Sequence, residues 1–152
     1  MKPFTLERTQ TLPITLESAW EFFSNPDNLV KITPPEMDFR ITSPPQSVIY
    51  GGQIITYTVR PFLRVAVNWT TEITHVEAPN FFVDEQRFGP YRFWHHQHRF
   101  CEVDGGVEVH DLVHYLLSHD QLAGVINYLF VAPRLRRIFD FRSKALQDIF
   151  PG

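Results

Sequence analysis

The chain reads as an α+β fold: one curved antiparallel sheet of about six to seven strands, two short helices after the first strand, and a long helix at the C-terminal end. Three observations predict it. Residues 38–117 hold a succession of strand-like segments parted only by short runs of turn formers, which implies an antiparallel meander. Helical periodicity occurs after the first of the strands and again at the end of the chain. No repeat, low-complexity tract or linker interrupts the 152 residues, so the whole of 1–152 is expected to be one domain.

Taken in order, residues 3–12 place Phe4, Leu6 and Leu12 at even positions with Thr5, Glu7, Thr9 and Thr11 between them, a period-two strand. In ITLESAWEFFSNP, Thr15 can cap a helix whose Leu16, Ala19, Trp20 and Phe23 share one face. Asn25 can cap a second short helix, PDNLVKI, with Pro26 at its first position, and Thr33-Pro34-Pro35 ends it. Strands are expected at 38–42, 53–60, 65–76, 81–88, 91–103 and 106–117, joined by SPPQSVIYGG, RPF, EAPN, GP and DGG. From Asp120 the pattern turns helical, and Pro133 is expected to divide a shorter apolar helix from a final one. On that last helix Leu135, Ile138, Phe139, Phe141, Leu146, Ile149 and Phe150 are apolar, while Arg134, Arg136, Arg137, Arg142 and Lys144 supply charge.

Composition narrows the function classes. A net charge of -3 argues against general nucleic-acid binding, which needs a basic footprint. One cysteine, Cys101, excludes an internal disulfide framework and fits a reducing, cytoplasmic setting. There is neither an apolar signal core nor a stretch of ~20 apolar residues. Fourteen Phe, five Tyr and three Trp suit a dense core or an aromatic-lined cavity equally.

The stretches SAWEFFSNPDNLVKITPPEMDF, GGQIITYTV, WTTEIT, FVDEQRFGPYRFWHHQHRF and RLRRIFDFR carry a resemblance that covers essentially the whole chain. Through them the sequence resembles the START-like (SRPBCC) helix-grip superfamily, and within it the bacterial ligand-binding group often labelled polyketide cyclase/dehydrase or CoxG-like. The resemblance implies a sheet that grips the long C-terminal helix, with a hydrophobic cavity between them for a lipid-, isoprenoid- or polyketide-like molecule. No cofactor is expected.

Strand alternation then sorts the three histidines of RFWHHQHRF. Trp94, His96, His98 and Phe100 share one side, and His95 takes the other. On the following strand the more apolar set Val107, Val109, Asp111, Val113 and Tyr115 is assigned to the cavity. A two-residue turn at Asp104-Gly105 sets His98 opposite Asp111, His96 opposite Val113, Trp94 opposite Tyr115 and Phe100 opposite Val109. A turn at Ala78-Pro79 sets Trp69 opposite Phe88, Thr71 opposite Gln86 and Ile73 opposite Asp84. The expected cavity face is therefore aromatic but polar along its middle.

From this face Trp69, Asp84, Gln86, Trp94, His96, Phe100 and Tyr115 are candidate ligand-binding residues, with Trp20 and Tyr57 as further wall. An Asp111–His98 hydrogen bond would orient His98 and raise its basicity, as acid/base chemistry of cyclase, dehydratase or isomerase type requires; a purely structural pair explains it too. His96-x-His98 puts two imidazoles roughly 6.5–7 Å apart at Cα, within reach of one ion. A third ligand would have to come from Asp111 or Asp84, and without a fourth no metal is expected. His95 and His114 are expected to meet on the convex side. Arg134, Arg136 and Arg137 beside Leu129, Phe130 and Val131 are suited to transient contact with an anionic membrane surface, or form an ordinary solvated face.

Overall fold

Along residues 107–115 every odd side chain is buried and every even one is half-exposed, the mark of a strand with one face on a core. In the computed structural model, which describes residues 2–45, 48–62, 64–118 and 121–152, that strand lies next to one edge of a seven-stranded antiparallel sheet. The strands are β1 (Phe4–Leu12), β2 (Arg40–Ile41), β3 (Gln53–Phe62), β4 (Val65–Glu77), β5 (Phe81–Phe88), β6 (Phe93–Val103) and β7 (Gly106–Leu116), in the order β1-β7-β6-β5-β4-β3-β2. With one long helix against it, the sheet has the helix-grip architecture.

The β6–β7 hairpin has the predicted register throughout: His98 pairs with Asp111, His96 with Val113, Trp94 with Tyr115 and Phe100 with Val109. Gly105 takes φ +88° in the turn, and Gly106, at φ +149°, lies so close to β1 that an added Cβ would collide with the Leu12 carbonyl oxygen. The β4–β5 hairpin corrects one expectation. Glu77 pairs with Phe81 rather than Asn80, so the turn holds three residues, Ala78 to Asn80, with a cis Ala78-Pro79 bond. A bulge between Ile73 and His75 absorbs the extra residue and restores the predicted pairs Ile73–Asp84 and Thr71–Gln86. A second irregularity puts Thr70, not Trp69, opposite Phe88.

The two short helices form where expected. In α1 (Leu16–Phe23) the Thr15 hydroxyl accepts from Ser18 N–H, and in the 3-10 helix Pro26–Ile32 Asn25 accepts from Asp27 N–H. At the C-terminal end α2 (Ala123–Ile126), a π-helical turn (Asn127–Val131) and α3 (Ala132–Ile149) run on as one rod. Asp120, the expected start of the helical pattern, lies outside the described residues. Pro133 therefore does not split the helix. Its missing N–H and bulky ring are accommodated by the wider turn just before it, where Ala132 N–H donates to Asn127 O. Among the described residues no helix is long and apolar enough to cross a membrane.

Two apolar clusters fill the space between sheet and helix. One gathers Trp69, Trp94, Val113, Tyr115, Leu135 and Phe139; the other gathers Ile73, Phe82, Phe100, Val109 and Leu146. Between them four strands and the long helix contribute polar residues: Thr71 from β4, Asp84 from β5, His96 and His98 from β6, Asp111 from β7 and Arg142 from α3. The interior is two apolar halves with a polar belt between them.

Candidate ligand cavity and its acid–base cluster

The belt borders a cavity of about 180 Å³, against about 10–15 Å³ for a single water on the same measure. Its wall is largely apolar, from Tyr57, Trp69 and Trp94 on the sheet, Leu29 in the 3-10 segment, and Leu135 and Phe139 on α3. Asp84, His96, His98, Arg134 and Arg142 are its titratable lining groups besides Tyr57 and Tyr91, while Thr71 faces it and can bond the Tyr57 hydroxyl at 3.3 Å.

The strand register explains how the cluster is wired. His96 lies directly opposite Asp84, and His98 directly opposite Asp111. In each imidazole Nδ1 is near Cβ and Nε2 projects beyond it. The near nitrogen therefore faces the acid straight across, His98 Nδ1 at 3.3 Å from Asp111 Oδ1 and His96 Nδ1 at 3.6 Å from Asp84 Oδ2. The far nitrogen reaches the diagonal acid, His96 Nε2 at 2.7 Å from Asp111 Oδ1 and His98 Nε2 at 2.5 Å from Asp84 Oδ2. The two rings lie against each other with centroids 3.7 Å apart, and Phe82 covers the other face of His98 at 4.0 Å. Asp111 Oδ1 and Asp84 Oδ2 thus each face one nitrogen of each histidine.

Arg142 completes the cluster from α3, with a guanidinium nitrogen 3.6 Å from Asp111 Oδ1 and its carbon 4.8 Å from the centre of the Phe139 ring. Its side chain is 11% exposed and its Nε has no hydrogen-bond partner. By sequence alone Arg142 counts only among the charges of the last helix, with no place in the site. It is three residues from buried Phe139 and four from buried Leu146, a spacing that sets all three on one helix face. That spacing was the available signal.

Burial by itself disfavours charge on every member of the belt. At His98 the hydrogen bonds to Asp111 and Asp84 outweigh burial and hold its pKa above the ordinary imidazole value. At His96 burial, reinforced by the charge on His98, wins over both carboxylates and lowers the pKa. Burial would raise Asp111, but His96, His98 and Arg142 hold it well below the usual carboxylate range. Asp84 is lowered against burial by the two imidazoles and Arg142. When His98 is protonated, the two carboxylates are matched in charge by the Arg142 guanidinium and the His98 imidazolium. Burial and the nearby Asp84 charge raise the Tyr57 phenol, which stays neutral.

Of the residues singled out from sequence, Trp69, Asp84, Trp94, His96 and His98 border the cavity. Asp111 sits behind the two imidazoles, outside the wall. Gln86, Phe100 and Tyr115 also lie off the wall. Gln86 donates to Tyr91 O at 2.6 Å and accepts from Tyr91 N–H at 3.1 Å, clamping the β5–β6 connection. Phe100 is packed among Trp20, Phe23 and Phe82 in the second apolar cluster, which also takes Trp20 off the wall. Tyr115 donates its hydroxyl to Asn127 Oδ1 at 2.7 Å and pins the helical rod to β7. His95 and His114 do pair on the opposite face, ring centroids 6.4 Å apart.

No family model matches the chain, and no curated protein does. Solved structures match it over nearly its whole length. The KanY protein (ms6282) superimposes with a TM-score of 0.73 at 12% identity, covering 100% of both chains. The protein TTHA0849 from Thermus thermophilus gives 0.69 at 13% identity and 95% of each chain. Ara h 8.0201 gives 0.67 at 13% identity, covering 96% of this chain and 99% of the other. Identities this low establish a shared fold.

Proposed function

We propose that this chain is a START-like (SRPBCC) ligand-binding protein of the bacterial group labelled polyketide cyclase/dehydrase or CoxG-like. Its ligand is a small, mainly apolar molecule (lipid-, isoprenoid- or polyketide-like) carrying a carbonyl or carboxylate at one end. One observation carries this reading: Arg142 is buried on the wall of a largely apolar cavity, its Nε without a partner and its nearest acid, Asp111, at 3.6 Å among the described residues. A buried cation so loosely paired is stabilised by an added acceptor. The apolar wall would take the body of the ligand and Arg142, with the nearby imidazoles, its polar end. Mass spectrometry of protein extracted under native conditions is expected to find such a molecule bound. Quenching of tryptophan fluorescence by a fatty acid or polyketide acid is expected to weaken about 10- to 100-fold in Arg142→Gln, the worth of a charge-assisted hydrogen bond. Equal affinity in both proteins would remove the polar anchor from this reading.

A second reading is acid/base catalysis of cyclase, dehydratase or isomerase type. What favours it is that His98 borders the cavity with both ring nitrogens facing carboxylates. Asp84 then joins Asp111 in orienting His98. Turnover of β-polyketone or enol substrates that survives His98→Ala unchanged would end that role.

Loading of an apolar ligand gives a use to an exposed apolar surface near the start of the helical rod. Leu122, Val125, Tyr128, Leu129 and Phe130 stand out from α2 and the π turn, Tyr128 at 78% exposed, next to exposed Arg136 and Arg137. An apolar ridge bordered by arginines suits transient contact with an anionic membrane surface.

A further inference from the structure

We infer that Asp84, His96 and His98 form an open three-ligand site for a divalent transition metal of the zinc or iron(II) class, facing the cavity. One donor atom from each residue lies within 4.8 Å of the others, and all three residues border the cavity. The wiring of the cluster identifies the donors. Asp84 Oδ2 faces His98 Nε2 at 2.5 Å and His96 Nδ1 at 3.6 Å, so these three atoms converge on one point.

Asp111 supplies what a metal site needs behind its ligands. Its Oδ1 faces the opposite nitrogen of each ring, His96 Nε2 at 2.7 Å and His98 Nδ1 at 3.3 Å. Accepting an N–H from each ring, it selects the tautomers that leave His96 Nδ1 and His98 Nε2 with free lone pairs toward Asp84. A carboxylate behind a histidine is the usual partner that orients a metal-binding imidazole. Arg142, 3.6 Å from Asp111, offsets the charge of that second carboxylate without entering the ligand set.

The donor types narrow the ion. Two imidazoles and one carboxylate without a thiolate suit zinc, iron(II), cobalt(II) or manganese(II), and suit calcium, magnesium or copper(I) poorly. Metal–ligand bonds of about 2.0–2.2 Å require the Asp84–His98 donor pair to open to roughly 3 Å, a small side-chain rotation toward the cavity. The metal takes the place of the proton shared by these donors, and its remaining positions open onto the space left for the ligand. Binding a metal does not depend on the ligand reading above, nor does that reading depend on metal.

The test is a titration of tag-free, chelator-stripped protein with zinc by competition against a chromophoric chelator, repeated with cobalt(II) and its visible spectrum. One equivalent of each is expected. Asp84→Asn and His98→Gln are each expected to weaken binding at least about 100-fold, the loss of a direct ligand, and Asp111→Asn by about 10–100-fold. The paired His95→Ala and His114→Ala substitutions are expected to leave it unchanged. Cobalt(II) added to the wild-type protein is expected to shift the ring proton resonances of His96 and His98, a readout independent of whether the variants fold. Less than about a tenth of an equivalent bound, undiminished binding in Asp84→Asn and His98→Gln, or shifts confined to His95 and His114 would each overturn the inference. Fluorescence quenching by an apolar acid, measured on the stripped protein, separates failure of this site from failure of ligand binding.

Discussion

The charge on His98 links the cluster to stability. Its pKa in the metal-free fold is raised above the unfolded value of about 6.5. It therefore contributes stability that is fully present below that pH and lost as pH rises through the folded value. His96 works in the opposite sense: its pKa is lowered, so its contribution is present above about 6.5 and lost as pH falls. The lowered carboxyls of Asp84 and Asp111 contribute above about pH 4 and lose that contribution in acid. Asp84→Asn removes one of the acids that raise His98. We expect the stability gap between metal-free wild type and Asp84→Asn to be widest between about pH 4 and about pH 6.5, and to narrow both in acid, as Asp84 is protonated, and as pH rises through the His98 titration. Denaturant midpoints across that range would measure it, with imidazole NMR following His98 directly; a gap that widens as pH rises past about 6.5 would contradict the assignment of the charge. Replacing Asp111 by Ala leaves His98 and Arg142 without their shared partner in the interior, and a loss of about 3–5 kcal/mol in chemical denaturation is expected. Phe100, packed in the second cluster and off the cavity wall, tests the other side of that distinction. Phe100→Ala is expected to cost about 3–5 kcal/mol of stability while leaving ligand quenching unchanged in the folded fraction.

At the scale of elements, the β6–β7 hairpin brings His98 and Asp111 together, and the edge strand β1 closes over its turn. Gly106 is where these meet. A side chain there faces a left-handed backbone angle and a Leu12 carbonyl in the space its Cβ would need, so Gly106→Ala is expected to lower the thermal midpoint by several degrees, since backbone strain of this kind is worth about 1–3 kcal/mol. An unchanged midpoint would mean that β1 shifts freely against β7. The C-terminal rod divides into two stretches. Its later turns bring Arg142 into the belt, while its first turns and π turn display the apolar ridge. Phe130→Ser with Tyr128→Ser is expected to abolish co-sedimentation with anionic vesicles without altering ligand quenching in solution. Equal binding to neutral vesicles, or none by the wild type, would discard membrane loading.

Across the whole molecule, local physics accounts for how much was legible. Period-two patterning and the Asp-Gly turn put His96, His98 and Asp111 on one face in the right register, because alternation and a two-residue turn are decided within a few residues. Thr15 and Asn25 announced their helices in the same local way. The extra turn residue beside Pro79 was hidden because a bulge three residues before Glu77 cancels it at the site. The strands, their faces and the sheet's share of the polar belt follow from the residues alone. Which histidine nitrogen meets which carboxylate does not, since a side chain longer than the strand spacing reaches the diagonal partner as readily as the opposite one. The burial of Arg142, and the placing of Gln86, Phe100 and Tyr115 off the cavity wall, likewise belong to the folded molecule. Both depend on how the long helix docks across the sheet, and docking is a sum over contacts far apart in the chain.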